Sequence, residues 1–214
     1  MNDLTEQASR WSGAFGRDYT ERNPQSLDEM EALYTRNYGL TRTELNRRFL
    51  DNLDRSMRIL EVGSNVGNQL VCLQRMGFEC LYGIELQSYA VEIAKSKSKN
   101  INLIKGEASD IPFKDGFFDM VFTSGVLIHI APENLKGVLK EIHRCTKKYI
   151  FGFECYSPET QEISYRSNSN LLWKSDFAGK YLEMFGDLTV VKQEHIKYLG
   201  NENVDAMFLL IKNH

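Results

Sequence analysis

Arg58-Ile59-Leu60-Glu61-Val62-Gly63-Ser64-Asn65-Val66-Gly67-Asn68 decides how this chain is read. An apolar run closes on an acid, a turn carrying glycines follows, and a helical pattern begins. That order marks the first strand, turn and helix of a parallel α/β sheet, where a nucleotide-type ligand is held. Gly63 lets the chain turn sharply, and Gly67 is expected to bring the following helix close to a ligand with no side chain between them. A second apolar run, Leu81-Tyr82-Gly83-Ile84, closes on Glu85. An acid at that place can accept hydrogen bonds from both hydroxyls of a ribose.

Outward from this segment the periodicity alternates. Strands are expected at Met57–Glu61, Cys80–Glu85, Ile101–Lys105, Phe117–Thr123 and Lys148–Cys155, with helices at Gly67–Met76, Gln87–Lys97 and Pro132–Cys145 between them. Leu171–Phe185 reads as a further helix, with Trp173, Phe177 and Tyr181 spaced by four. Two β-rich runs, Leu188–Ile196 and Val204–Lys212, flank Gly200-Asn201-Glu202-Asn203, which suits a hairpin with an antiparallel last strand. Residues 1–55 read as a helical arm on the same domain, and residues 56–214 as the ligand-binding domain. Ser26–Glu29 and Thr41–Glu44 have the form of capping boxes, the second opening a helix that buries Leu45, Phe49 and Leu53. Trp11, Phe15 and Tyr19 recur every four residues, as a packing stripe or as a lid.

Composition narrows the function classes. The chain has 214 residues, 42% hydrophobic and 26% charged, which suits one globular α/β domain. A net charge of −3 argues against a nucleic-acid binder, which carries a basic face. Cys72, Cys80, Cys145 and Cys155 form no metal-ligand spacing and are expected as reduced core thiols, with no metal site. No basic and apolar leader follows Met1, and no apolar run approaches the ~20 residues of a membrane span, so a cytoplasmic protein without membrane contact is expected.

The turn also restricts the ligand. A pyrophosphate-binding turn crowds its glycines, whereas this one carries Asn65 and Asn68 at two of the positions and sets Glu61 just before it. A buried carboxylate repels a pyrophosphate and attracts an ammonium group. A cofactor with positive charge and no phosphate, such as S-adenosylmethionine (SAM), fits. On these residues the chain resembles the class I SAM-dependent methyltransferases over about residues 56–155. Glu61-Val62-Gly63-Ser64-Asn65-Val66-Gly67 is similar to the family's first motif, Glu85 to its ribose-binding acid, and Glu107-Ala108 to the acid and amide that read the adenine edge. Ile111-Pro112-Phe113, Phe117 to Val121 and Thr123 to His129 resemble the stretches leading into and out of the fourth strand. Asn65 stands in place of the usual middle glycine, and Glu107 in place of the commoner Asp.

The resemblance implies a Rossmann-like, doubly wound, seven-stranded sheet, mostly parallel with an antiparallel C-terminal strand, under an N-terminal helical lid. It implies SAM as cofactor and S-adenosylhomocysteine as product. Tyr19, Arg42, Glu61, Gly63, Asn65, Gly67, Asn68, Glu85, Leu86, Glu107, Ala108 and Ser124 are then the candidate cofactor residues. Arg22 is a further candidate for the methionine carboxylate. His129 and Tyr156 are the catalytic candidates, and Glu154 is either a strand-end base or a solvated carboxylate. His143 is expected on an exposed helix face, and His195 and His214 near the C-terminal strands with no partner motif. Trp11-Ser12-Gly13-Ala14-Phe15-Gly16-Arg17-Asp18-Tyr19-Thr20-Glu21-Arg22-Asn23 and Tyr38 to Glu44 further resemble methyltransferases associated with pseudaminic acid biosynthesis. That implies a small-molecule acceptor, a sugar acid or nucleotide sugar of surface-glycan synthesis. The alternatives are cyclisation of SAM to a four-membered imino acid with release of methylthioadenosine, or a SAM-binding regulatory protein.

Overall fold

Nine strands and eight helices follow one another in the computed structural model, which describes residues 6–166 and 168–213. The start of the chain, read above for a leader, and His214 lie outside the described residues. Four helices come first: α1 (Glu6–Ser12), α2 (Ala14–Arg22), α3 (Leu27–Tyr38) and α4 (Arg42–Leu50). Then β1 (Arg58–Val62), α5 (Asn68–Arg75), β2 (Cys80–Glu85), α6 (Ser88–Lys97), β3 (Ile101–Lys105), β4 (Phe118–Ser124), α7 (Pro132–Cys145) and β5 (Thr146–Cys155) alternate. The remainder is β6 (Gln161–Glu162), β7 (Trp173–Lys174), α8 (Phe177–Met184), β8 (Leu188–Lys197) and β9 (Val204–Lys212).

Seven strands form one sheet in the order β3-β2-β1-β4-β5-β9-β8, in which β9 alone runs antiparallel to its neighbours. Strand order reverses between β1 and β4, so a crevice opens there beyond the carboxyl ends of the strands. Both faces are covered. Leu45, Phe49 and Leu50 of α4 pack with Leu70, Leu73 and Ala94 on one face; Leu135, Val138, Leu139 and Ile142 of α7 pack with Phe177 and Tyr181 on the other. This is the doubly wound sheet with an antiparallel C-terminal strand and N-terminal helices that the sequence led one to expect.

Local chemistry sets several boundaries. Thr41 and Glu44 complete a capping box on α4. Ser26 accepts from the Glu29 N–H, but the Glu29 carboxylate turns to the Gln25 N–H at 2.7 Å, so that box is half formed. α4 stops at Leu50, leaving Leu53 half-buried beyond it.

The expected helix over Leu171–Phe185 starts only at Phe177. Trp173 and Lys174 pair in a short antiparallel ladder with Glu162 and Gln161, and Asp176 caps α8 through the Gly179 N–H at 3.0 Å. Trp173 therefore shares no helical face with Phe177 and Tyr181, although all three are buried. The stripe of Trp11, Phe15 and Tyr19 likewise spans a break at Gly13, yet the rings meet, Trp11 lying 5.0 Å from Phe15 and 5.1 Å from Tyr19. The four thiols are free. Cys72 and Cys145 are core, whereas Cys80 and Cys155 are only half-buried.

Candidate functional site

A cavity of about 590 Å³ lies over the carboxyl ends of the strands, within the size range of small-ligand sites. Crossing the sheet, its wall is formed by Glu107 and Ala108 after β3, Glu85 and Leu86 at β2, and Glu61 and the Gly63–Val66 turn at β1. It continues over Ser124 at β4, Phe153 and Cys155 at β5, and Asp205 at β9. Gln7, Trp11 and Tyr19 of the arm close it from above.

Gly63 has φ +73°, and a Cβ there would stand 2.6 Å from Val126 Cγ2, so both backbone and space demand glycine. Asn65 also takes positive φ, 45°, a conformation open to Asn through its short polar side chain. Its N–H donates to Glu85 Oε2 at 2.9 Å, which fixes the turn to the end of β2. Gly67 differs from the expectation. It is absent from the cavity wall, and its missing Cβ would face Ala94 and Leu103. Its φ of +79° at the cap of α5 makes it a backbone requirement, not a ligand contact.

Two acids of this wall, Glu61 and Glu85, are raised in pKa by burial. Glu61, 2% exposed, is pushed well up by desolvation; Glu85 adds to the shift and Arg42 opposes it. Glu61 Oε2, Ser64 Oγ and Asn65 Oδ1 are buried without a hydrogen-bond partner among the described residues. Glu85 is raised by desolvation, opposed by the N–H groups of Gln87 at 2.8 Å and Asn65. Glu107 accepts from the Ser109 hydroxyl at 2.8 Å. Asn68 lines the cavity and donates to the Pro24 carbonyl at 2.7 Å.

Arg42 is fully buried behind the wall, its guanidinium 4.5 Å from the Phe153 ring and 5.3 Å from that of Tyr34. It does not line the cavity, but its Nε and Nη2 lack hydrogen-bond partners among the described residues. Arg22 is exposed and away from the cavity.

Leu127–His129 form a 3-10 turn after β4. The His129 Nδ1 lies 2.8 Å from the Leu171 carbonyl, which can only accept, so Nδ1 carries the proton and Nε2 holds the basic lone pair. Burial against Trp11, whose ring lies 4.5 Å away, lowers the His129 pKa to about 4. Gln7 ties the arm to this turn, donating to the His129 carbonyl and accepting from the Ala131 N–H at 3.0 Å. Gln87 ties the arm to the end of β2, donating to the carbonyls of Ser12 at 3.0 Å and Gly13 at 2.9 Å.

Glu154 is neither solvated nor on the cavity wall. It is 1% exposed, accepts from the N–H groups of Val126 at 3.2 Å and Ile128 at 3.4 Å, and burial raises its pKa to about 7. It supports the turn that carries His129. Tyr156 is also off the wall. Phe153 and Cys155 face the cavity, so strand alternation sends Glu154 and Tyr156 the other way, and the Tyr156 ring packs 4.2 Å from His195. His143 is not on an exposed face: its Nε2 lies 2.9 Å from Asp187 Oδ1 and its ring stacks on Phe185.

Several wall residues were not among the ligand candidates read from the sequence: Gln7, Gln87, Tyr34, Tyr38, Tyr198 and Asp205. Among the described residues no group of three or more His, Cys, Asp or Glu is arranged to hold a metal, and no helix is long and apolar enough to cross a membrane.

Residues 60–149 match the family described as a methyltransferase domain. An uncharacterized methyltransferase of Synechocystis sp. is 30% identical over 100 residues, 46% of this chain and 47% of the relative. A demethylmenaquinone methyltransferase of Geobacillus kaustophilus is 32% identical over 113 residues, 50% of this chain and 47% of the relative. The chain thus spans about half the length of the curated relatives it matches. The crystal structure of magnesium protoporphyrin IX methyltransferase from Synechocystis, with bound SAM, superposes with a TM-score of 0.69 at 13% identity, covering 100% of both chains. The fold is the Rossmann-like methyltransferase fold.

Proposed function

We propose that this chain is an enzyme that transfers a methyl group from SAM to a small molecule held in the same cavity. The observation that carries the reading is the buried, partnerless Glu61 Oε2 on the wall of a cavity whose neighbouring strand ends present Glu85 and Glu107 in turn. These residues fit SAM. Glu61 would face its ammonium group, and that cation would hold the buried carboxylate ionised. Glu85 keeps acceptor capacity for the ribose hydroxyls. Glu107 and Ala108 would take the adenine edge, while Leu86, Asn65, Asn68, Tyr19 and Ser124 would complete the enclosure. Arg42, one layer behind, would act on the methionine carboxylate by its charge through Phe153 and Tyr34. Bound there, SAM supplies a methyl group activated by positive sulfur.

The protein's part is to orient an acceptor, align it and exclude water. The arm, whose helix α1 is pinned near both ends by Gln7 and Gln87, serves as the excluding lid over residues 56–214. His129 would take a proton from the acceptor through Nε2 where the acceptor must lose one.

A sugar acid or nucleotide sugar, as the arm's resemblance implies, is the finer acceptor reading. No arginine or lysine belongs to the described wall, so the cavity offers such an anion little support.

Mass spectrometry of the purified chain with SAM alone and with candidate acceptors tests the reading. S-adenosylhomocysteine formed together with a methylated acceptor supports it. Methylthioadenosine from SAM alone would replace it with cyclisation. Failure of SAM to bind in calorimetry would sink it.

A further inference from the structure

The far end of the cavity, under β5 and β9, has a chemistry of its own. Asp205 is 3% exposed, lines the cavity, and accepts from the Tyr38 hydroxyl through Oδ2, while its Oδ1 has no partner among the described residues. Aromatic rings gather on its partner Tyr38. Tyr38 lies 4.7 Å from Tyr198 and 5.8 Å from Phe153, and Tyr34 lies 5.4 Å from Tyr38. All four line the cavity. From this placement we infer that the acceptor carries a protonated amine, seated against Asp205 on the cavity side of the Tyr38 and Tyr198 rings.

The sheet supplies a ruler for the assignment. Glu61 and the turn after β1 lie at the methionine half of the proposed SAM site, and Ser124 ends β4, the next strand. β5 and then β9 follow, each step about 4.8 Å. Asp205 therefore lies roughly 10 Å beyond β4, on the side away from Glu85 and Glu107. That is a distance for the far end of a small acceptor, too remote from β2 and β3 to serve ribose or adenine.

The charge of the wall points the same way. Its ionisable carboxylates are Glu61, Glu85, Glu107, Glu133 and Asp205, with no arginine or lysine among the described wall residues, and His129 is neutral above pH 5. The nearest buried cation, Arg42, stands against Tyr34 and Phe153, which leaves Tyr38 and Tyr198 as the ring pair for a second cation. The Tyr38 phenol is raised by burial and then by the Asp205 charge, as is that of Tyr198, so both stay protonated and can only donate toward the carboxylate or offer a ring face. Tyr198 and the Cys155 thiol also turn hydrogen-bonding groups to Asp205, but no cation of the described residues forms an ion pair with it, and a ligand cation would supply that charge. A ligand carboxylate or phosphate would meet Asp205 with like charge.

This inference rests on the proposed cofactor half and can fail separately from it. The test uses the full chain saturated with S-adenosylhomocysteine and three probes of one shape: phenethylamine, phenylethanol and phenylpropionate, titrated by calorimetry. Phenethylamine should bind roughly tenfold more tightly than phenylethanol, and phenylpropionate least, since a charged hydrogen bond is involved. Asp205→Asn should abolish that preference while leaving S-adenosylhomocysteine affinity within about twofold, because Asn still accepts from Tyr38. Tyr198→Leu, at a half-buried position, should weaken the amine and spare the alcohol. Equal affinities, tighter binding of the carboxylate, or loss of S-adenosylhomocysteine affinity in Asp205→Asn would overturn it. If S-adenosylhomocysteine itself fails to bind wild-type protein, the methyl-transfer reading falls, and the probe series without it still decides the role of Asp205.

Discussion

Glu154→Gln should change how stability depends on pH, and the structure sets the size of the change. Glu154 is fully buried and accepts from the N–H groups of Val126 and Ile128, yet desolvation outweighs those bonds and raises its pKa from 4.5 to about 7. Because the folded value lies above the unfolded one, the fold binds more protons than the unfolded chain between those pH values. Stability from this group is therefore fully present below about pH 4.5, falls as pH rises, and levels off above 7. A shift of roughly 2.5 units at 1.36 kcal/mol each makes the fall about 3 kcal/mol. Gln cannot ionise, so the variant should lack this fall. Its carboxamide presents an NH₂ toward backbone donors, a fixed cost of about 1–3 kcal/mol that does not vary with pH. Urea unfolding at pH 5, 6, 7 and 8, with equal m-values as a check on two-state behaviour, isolates the effect as a difference of slopes. Parallel curves for the two proteins would refute the argument that burial controls Glu154.

Gly63→Ala forces a Cβ to 2.6 Å from Val126 at φ +73°, which costs about 1–2 kcal/mol in backbone conformation before the clash is counted; SAM affinity by calorimetry should fall at least about tenfold. Glu85→Ala should weaken SAM by about 1–3 kcal/mol and also loosen the turn, because the N–H groups of Asn65 and Gln87 lose their acceptor; unchanged affinity would remove the ribose assignment. With the His129 pKa near 4, the rate of methyl transfer should show no break from this group between pH 5.5 and 8, whereas a break near 6.5 that disappears in His129→Gln would contradict its buried, neutral state.

The parallel half of the fold was legible because apolar runs ending at glycine turns or acids recur at βαβ spacing, and the bounds of β2, β3 and α7 follow from them without change. The Trp173 region was not, since its extended form depends on pairing with Gln161 and Glu162, more than ten residues away, and spacing by four cannot register that. In the site, Glu61, Gly63 and Glu85 were legible from position alone. Tyr156 shows the limit: a one-residue offset in β5 decides which face a side chain takes, and both parities read equally well in an apolar strand. Asp205 was overlooked for a related reason. Glu61 and Glu85 close their strands, whereas Asp205 opens β9. Because β9 runs antiparallel, its first residues lie beside the last residues of β5, with Cys155 opposite Asp205. An acid opening an antiparallel strand occupies the same rim as one closing a parallel strand. Gln7 and Gln87 carried no periodic signal, because their bonds join the arm to loops far along the chain.

The distribution of unsatisfied polar atoms argues that this rim is shaped for ligands and not for stability. Of the ten buried side-chain atoms without partners among the described residues, six belong to cavity-wall residues: Trp11, Glu61, Ser64, Asn65, Gln69 and Asp205. Each such atom costs on the order of 1–3 kcal/mol when nothing meets it. Their concentration over the carboxyl ends of the strands places the missing partners where the proposed ligands would supply them. Four of the six lie at two separate places. Glu61, Ser64 and Asn65 surround the turn after β1, while Asp205 stands beyond β5. A ligand reaching only the first group leaves the second unmet, so cofactor alone should raise stability by part of what is available, and an amine bound beside it should raise it further. On the proposed reading the arm would couple the two, because Gln87 holds it to the end of β2 and Gln7 holds it to the turn after β4. Order imposed on the arm by one ligand lowers the ordering cost for the other, which favours cofactor and acceptor being held together over either being held alone.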